Sequence, residues 1–223
     1  MNYPVATSKE RTPDAIGILI VAAAVDHGQG LREKATALPD IKESDWDRAL
    51  QELFRAHYCL AVLGMIKGLP SSETRELYAS LVLEYLQQFP VEEAALVRET
   101  FLDRQQLDAA VGWYVHRKLT SAEREALNAM ERRILAATEE EGGEKGLAFF
   151  CASVHLRVAR LLGIVESSDR SFITLWLQNV GAIVAAWRTL YGDFVPVLPT
   201  AKPGTSPFLQ QSRRFWRRLL NRP

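Results

Sequence analysis

The sequence predicts an all-α fold: a single-domain bundle of about seven or eight helices over residues 10–193, then a Pro-rich linker over 194–207 and a C-terminal basic amphipathic helix over 208–223. Three observations carry this expectation. Apolar residues recur three and four apart in long stretches, each bracketed by helix-starting and helix-stopping residues. No segment shows sustained period-two alternation, and no Asn-Gly or Asp-Gly pair offers a hairpin turn. No internal repeat is present, and the turns do not fit the tetratricopeptide spacing.

Thr12-Pro13 opens the first helix, which the Gly28-Gln29-Gly30 breaker is expected to end. Ser44 opens a second, with Trp46, Leu50, Leu53, Phe54, His57, Leu60 and Ala61 on one face until Gly68-Leu69-Pro70. Ser72 caps a third that closes at Phe89-Pro90. A fourth runs from Pro90 to Phe101 and a fifth from Arg104 to Lys118, with Leu107, Val111, Tyr114 and Val115 inward. Thr120 and Glu123 form a capping box for the sixth, which ends in the acidic Glu139-Glu140-Glu141 before two glycines. The seventh, Glu144 to Leu162, and the eighth, Arg170 to Tyr191, are the most apolar and are expected at the centre. Pro196, Pro199, Pro203 and Pro207 then fix backbone angles in an extended linker.

Lys and Arg balance Asp and Glu at 27 each, but no acidic residue follows Asp193, whereas Lys202 and five arginines do. Removing those six cations leaves 21 against 27 acids, so the body is near −6 and the tail near +6. This asymmetry argues against the body as a nucleic-acid surface and for the tail as a contact with something anionic. The two cysteines, Cys59 and Cys151, lie in apolar helical patterns, which fits reduced thiols in a cytoplasmic protein. The apolar run Ala15–Val25 is too short to span a bilayer and reads as a buried helix rather than a signal-peptide core, because charged residues precede it at Lys9, Glu10, Arg11 and Asp14.

Catalytic signatures are missing: there is no phosphate-cradling Gly-rich loop, no His-Glu-x-x-His and no Gly-x-Ser-x-Gly elbow. No histidine follows a glutamate by three, which removes the di-iron pattern of helical bundles. Cys151 and His155 share a helix face at metal-ligand spacing, but their core-like neighbours favour a packed thiol and a satisfied imidazole. Asp26-His27 reads as a histidine near a helix C-terminus, and the tryptophans at 46, 113, 176 and 187 as core. We therefore expect no catalytic residue, no metal and no cofactor.

The tail carries the sharpest signal. At about 100° per residue, Phe208, Leu209, Ser212, Phe215, Trp216, Leu219 and Leu220 form one arc, and Arg213, Arg214, Arg217, Arg218 and Arg222 occupy the rest of the wheel. In type, and over this segment only, it resembles the C-terminal membrane-targeting helices of the bacterial Min-system ATPase and of the actin-like division protein. The expected role is a non-enzymatic adaptor or scaffold, cytoplasmic and peripheral on an anionic membrane surface, or docked through the tail on a partner protein or on its own body. Two alternatives stand beside it: an enzyme or small-ligand-binding bundle with a site invisible in the sequence, and a nucleic-acid adaptor using the arginines with Phe215 and Trp216 as stacking platforms.

Overall fold

The computed structural model describes residues 9–34, 41–88, 104–137, 145–164 and 170–198, and among them the chain is helical almost throughout. The helices are α1 (Pro13–Lys34), α2 (Glu43–Gly68), α3 (Ser72–Gln88), α4 (Arg104–Tyr114), α5 (Ser121–Ala137), α6 (Lys145–Leu161) and α7 (Arg170–Ala186). The helix expected at 90–101, the acidic turn at 139–144, the linker beyond Leu198 and the tail 208–223 lie outside the described residues.

Local chemistry sets several boundaries. The Thr120 hydroxyl accepts from the Glu123 amide at 3.3 Å while the Glu123 carboxylate accepts from the Thr120 amide at 2.9 Å, which completes the expected capping box of α5. The Thr120 amide and then the Thr120 hydroxyl, both donating to this carboxylate, hold the Glu123 carboxyl below its usual range. At the start of α3 the capping hydroxyl belongs to Ser71, one residue before the expected Ser72, and accepts from the Thr74 amide. The α6 end is closed by Gly163 at φ 68°, with Ile164 N–H bonded to Ala159 O and Gly163 N–H to Arg160 O, the double bond of a Schellman motif.

Helix α1 departs from expectation by running through Gly28 and Gly30 to Lys34. Both glycines allow close packing: an added Cβ would lie 2.8 Å from Leu50 Cδ1 at Gly28 and 2.6 Å from Gln178 Nε2 at Gly30. The contacts so gained outweigh about 1 kcal/mol of lost helix propensity at each. By length and composition α1 is apolar enough to cross a membrane, yet here Ile16, Ile20, Val21, Ala24 and Leu31 are buried against the bundle. Helix α4 stops at Tyr114 rather than Lys118, because Arg117 takes a left-handed φ of 52° and turns the chain toward α5.

Helix α6 is the axis of the bundle. Every residue from Ala148 to Leu156 is buried, and α2, α5 and α7 pack around it. Helix α1 lies against α2, α3 and α7, and α4 rests on α2. Helix α7 was also expected at the centre, but only one side is: Leu175, Asn179, Ile183 and Ala186 face inward, whereas Ile173 and Leu177 are 49% and 63% exposed.

A π-helical turn, Trp187–Tyr191, ends α7 and brings the chain onto α2 at Gly64, where an added Cβ would fall 2.3 Å from Tyr191 O. No strand was expected. The chain nevertheless forms a two-residue parallel pair in which β1 (Glu10–Arg11) lies beside β2 (Val195–Pro196), with Val195 N–H donating to Lys9 O and Val197 N–H to Arg11 O, both at 2.8 Å. Phe194 is buried and Pro196 covers Gly68, so residues 194–198, assigned from sequence to the linker, are held on the body. Truncation after Leu198 is expected to leave urea unfolding cooperative and to cost no more than about 1.5 kcal/mol, whereas truncation after Gly192 also removes Phe194 and β2 and costs about 2–3 kcal/mol more, as followed by circular dichroism.

Candidate functional site

Two polar clusters occupy the interior. The first takes one side chain from each of four helices: His27 of α1, His57 of α2, Asn179 of α7 and His155 of α6, all buried. His27 Nδ1 lies 3.2 Å from His57 Nε2, His27 Nε2 lies 2.8 Å from Asn179 Oδ1, and Asn179 Nδ2 lies 3.4 Å from His155 Nδ1. The short bond to an amide oxygen requires His27 Nε2 to carry the proton, which leaves His27 Nδ1 as acceptor and makes His57 Nε2–H the donor to it. Asn179 Nδ2–H in turn donates to His155 Nδ1, so His155 is protonated at Nε2. The whole chain is thus polarised in one direction, with a bare acceptor, His57 Nδ1, at one end and an N–H donor, His155 Nε2, at the other. Neither end atom has a hydrogen-bond partner among the described residues.

Burial keeps all three imidazoles neutral. It lowers His27 to about 4 against the partly opposing bond from Asn179, and lowers His155 to about 4. His57 falls well below the ordinary histidine value, through burial and then the neighbouring His27.

The second cluster centres on Glu52 of α2, a carboxylate only 2% exposed. It accepts from Tyr114 Oη at 2.7 Å, from Arg157 Nε at 2.6 Å and from Arg55 at 3.0 Å. The Arg157 guanidinium also stacks 4.4 Å from the Trp113 ring centroid and 5.5 Å from that of Tyr114. Burial and then the Glu52 charge push the Tyr114 phenol well above its usual range, so it stays a proton donor to the carboxylate. Above this cluster a shallow cleft of about 200 Å³ is lined by Trp113, Glu123, Leu156, Arg157 and Arg160, among others, and its enclosed part has room for about one water.

Comparison with protein-family models, with curated proteins and with solved structures gives no match.

The tail residues singled out from sequence, Phe208, Arg213, Arg214, Phe215, Trp216, Arg217, Arg218, Leu219, Leu220 and Arg222, lie outside the described residues. Cys151 and His155 are both buried on α6. The Cys151 thiol is pushed up to about 12 by burial, the opposite of thiolate activation, while His155 turns to Asn179. Asp26 and His27 part company: Asp26 is exposed, and His27 lies inside an uninterrupted helix, not at a helix C-terminus. Trp46, Trp113, Trp176 and Trp187 pack half-buried against the core. Sequence reasoning missed the Glu52 cluster and gave His57 no functional weight. The available signal was positional, since Glu52 falls between Ala49 and Ala56 on the face that α2 buries.

Two stability predictions follow from these clusters. In the unfolded chain the histidines titrate near 6.5, so between that value and 4 the unfolded state binds more protons. Stability is then full above pH 6.5 and is lost as pH falls toward 4, by about 3 kcal/mol each for His27 and His155. Urea midpoints at pH 7.5, 6.5, 5.5 and 5.0 test this in a window where ordinary carboxylates stay ionised. In the second cluster, Arg157→Met is expected to destabilise by about 3 kcal/mol and Glu52→Gln by about half that, because Glu52 has no access to water whereas Arg157 is one-third exposed and rehydrates. The reverse order in urea unfolding would mean that the arginines, not the carboxylate, carry the desolvation cost.

Proposed function

We propose that this chain is a non-enzymatic adaptor whose helical body is brought to an anionic membrane surface, on its cytoplasmic side, by residues 208–223. The observation that carries the reading is the separation, within one sixteen-residue segment, of Phe208, Leu209, Phe215, Trp216, Leu219 and Leu220 from five arginines. Burying six such side chains gains about 1.5 kcal/mol or more each, and each arginine adds about 1 kcal/mol near acidic headgroups. Ordering the segment costs on the order of 1 kcal/mol per residue. The terms nearly cancel, so binding is reversible and governed by the fraction of acidic lipid. The opposite charges of body and tail give the molecule a direction: the tail meets the surface while the acidic body is held away from it.

The Glu52 cluster supports an adaptor in a second way, because its groups are spent on one another between packed helices, Glu52 on Arg157, Arg55 and Tyr114. The thiols of Cys59 and Cys151 are raised by burial, which suits packing rather than nucleophilic work.

Cosedimentation of the full chain with phosphatidylserine-containing vesicles is expected to rise with the anionic fraction, to fall with salt, and to be lost in Trp216→Glu, which must bury a carboxylate or lift the helix out. Retention on single-stranded RNA with a log-log salt slope of about −0.7 per phosphate, unaffected by Leu219→Gln and Leu220→Gln, would assign the tail to nucleic acid instead.

A further inference from the structure

Helix α7 presents an outer face that the described residues leave uncovered. Between Arg170 and Arg188 the chain has no charged residue, an unusual composition for a helix with one side in solvent. Along that side Ile173, Leu177, Gly181 and Ala185 recur every fourth residue and are all exposed. The first two form a ridge. Above Gly181 an added Cβ would meet nothing within 4 Å, so the row drops into an open hollow beside Ala185.

The chain itself carries a complementary surface within reach. The described residues end at Leu198, held by β2 at the α2 terminus, where Tyr191 also ends the helical path of α7. The nine residues 199–207 span up to about 28 Å when extended at 3.1 Å each, and α7, seventeen residues long, measures about 26 Å. The segment 208–223 can therefore begin on the C-terminal half of the α7 face and run back along it toward Ile173. As a helix of sixteen residues it is about 24 Å long, matching α7, with three aromatic side chains to fill a hollow and an apolar arc to cover a ridge.

We propose that, away from a membrane, residues 208–223 pack their apolar face on Ile173, Leu177 and Gly181 of α7, so that the tail is withheld until an anionic surface competes for it. The proposal rests on the membrane reading above for what releases the tail, but not for the contact itself. An intramolecular partner on a short linker acts at an effective concentration in the millimolar range, enough for a modest apolar contact to keep most of the tail covered. The acidic body and the basic tail attract, so added salt weakens the closed state.

The contact is tested on the full chain without lipid by trypsin, for which Arg213, Arg214, Arg217 and Arg218 are cleavage sites. Cleavage in the tail is expected to be slow in the native sequence and about tenfold faster in Leu177→Lys and in Ile173→Lys, because the rate follows the population of the open state. Both side chains are exposed, so the fold is preserved; Leu77→Lys, at an equally exposed apolar position on α3, is expected to leave the rate unchanged. Equal tail cleavage in the native chain and Leu177→Lys would overturn the proposal, as would acceleration by Leu77→Lys or protection that rises with protein concentration, the mark of a contact between two copies. Vesicle binding separates the two readings. If Leu177→Lys both opens the tail and binds phosphatidylserine vesicles several-fold more tightly than the native chain, both stand. If it opens the tail without binding vesicles, the contact stands and the membrane reading fails.

Discussion

The bundle depends on a hydrogen-bonded chain that crosses its centre, from His57 through His27 and Asn179 to His155. Each member comes from a different helix, and each must be neutral and correctly tautomeric for its neighbour to be satisfied. An apolar core tolerates small slips of one helix past another. A polarised chain does not, because moving any of its helices by one turn leaves buried donors and acceptors without partners, at about 1–3 kcal/mol for each. The network therefore contributes little net energy per bond yet fixes the mutual register of α1, α2, α6 and α7.

Helix α2 carries both polar clusters. His57 faces α1, and five residues earlier Glu52 faces α4 and α6 through Tyr114 and Arg157. A buried carboxylate with two arginines and a phenol is weak evidence for stability as such, since desolvation offsets much of the attraction. Its effect is on specificity: it selects the one arrangement of α4 against α2 and α6 in which all four groups are paired. The histidines resist protonation and unfold the bundle when forced to accept it.

Beyond the C-terminal end of α7, Gly64, Gly68, Phe194 and the β1–β2 pair fasten residues 194–198 to the body. That fastening gives the tail a fixed origin. It also lies near the C-terminal end of the uncharged α7 face, so in the proposed competition between that face and a membrane the controlling quantities are linker length and the charge difference between body and tail.

What the sequence determined by itself was everything set by residues a few positions apart. The Thr120–Glu123 capping box, the apolar stripes of α2 and α6 and the stop at Gly68-Leu69-Pro70 are local patterns, because helices are built from contacts three and four residues away. What only the tertiary structure decided were pairings across long separations. Gly28 and Gly30 look like a helix end until Leu50 and Gln178 pack against them, and His27 looks like a terminal histidine until Asn179, 152 residues later, meets it. Lone Glu52 on an apolar face, and Val195–Pro196 in a proline-rich stretch, carry no mark of Arg157 or of β1. Propensity is a sum over neighbours in the chain, whereas burial and hydrogen-bond satisfaction are sums over neighbours in space, and only folding makes the second list known.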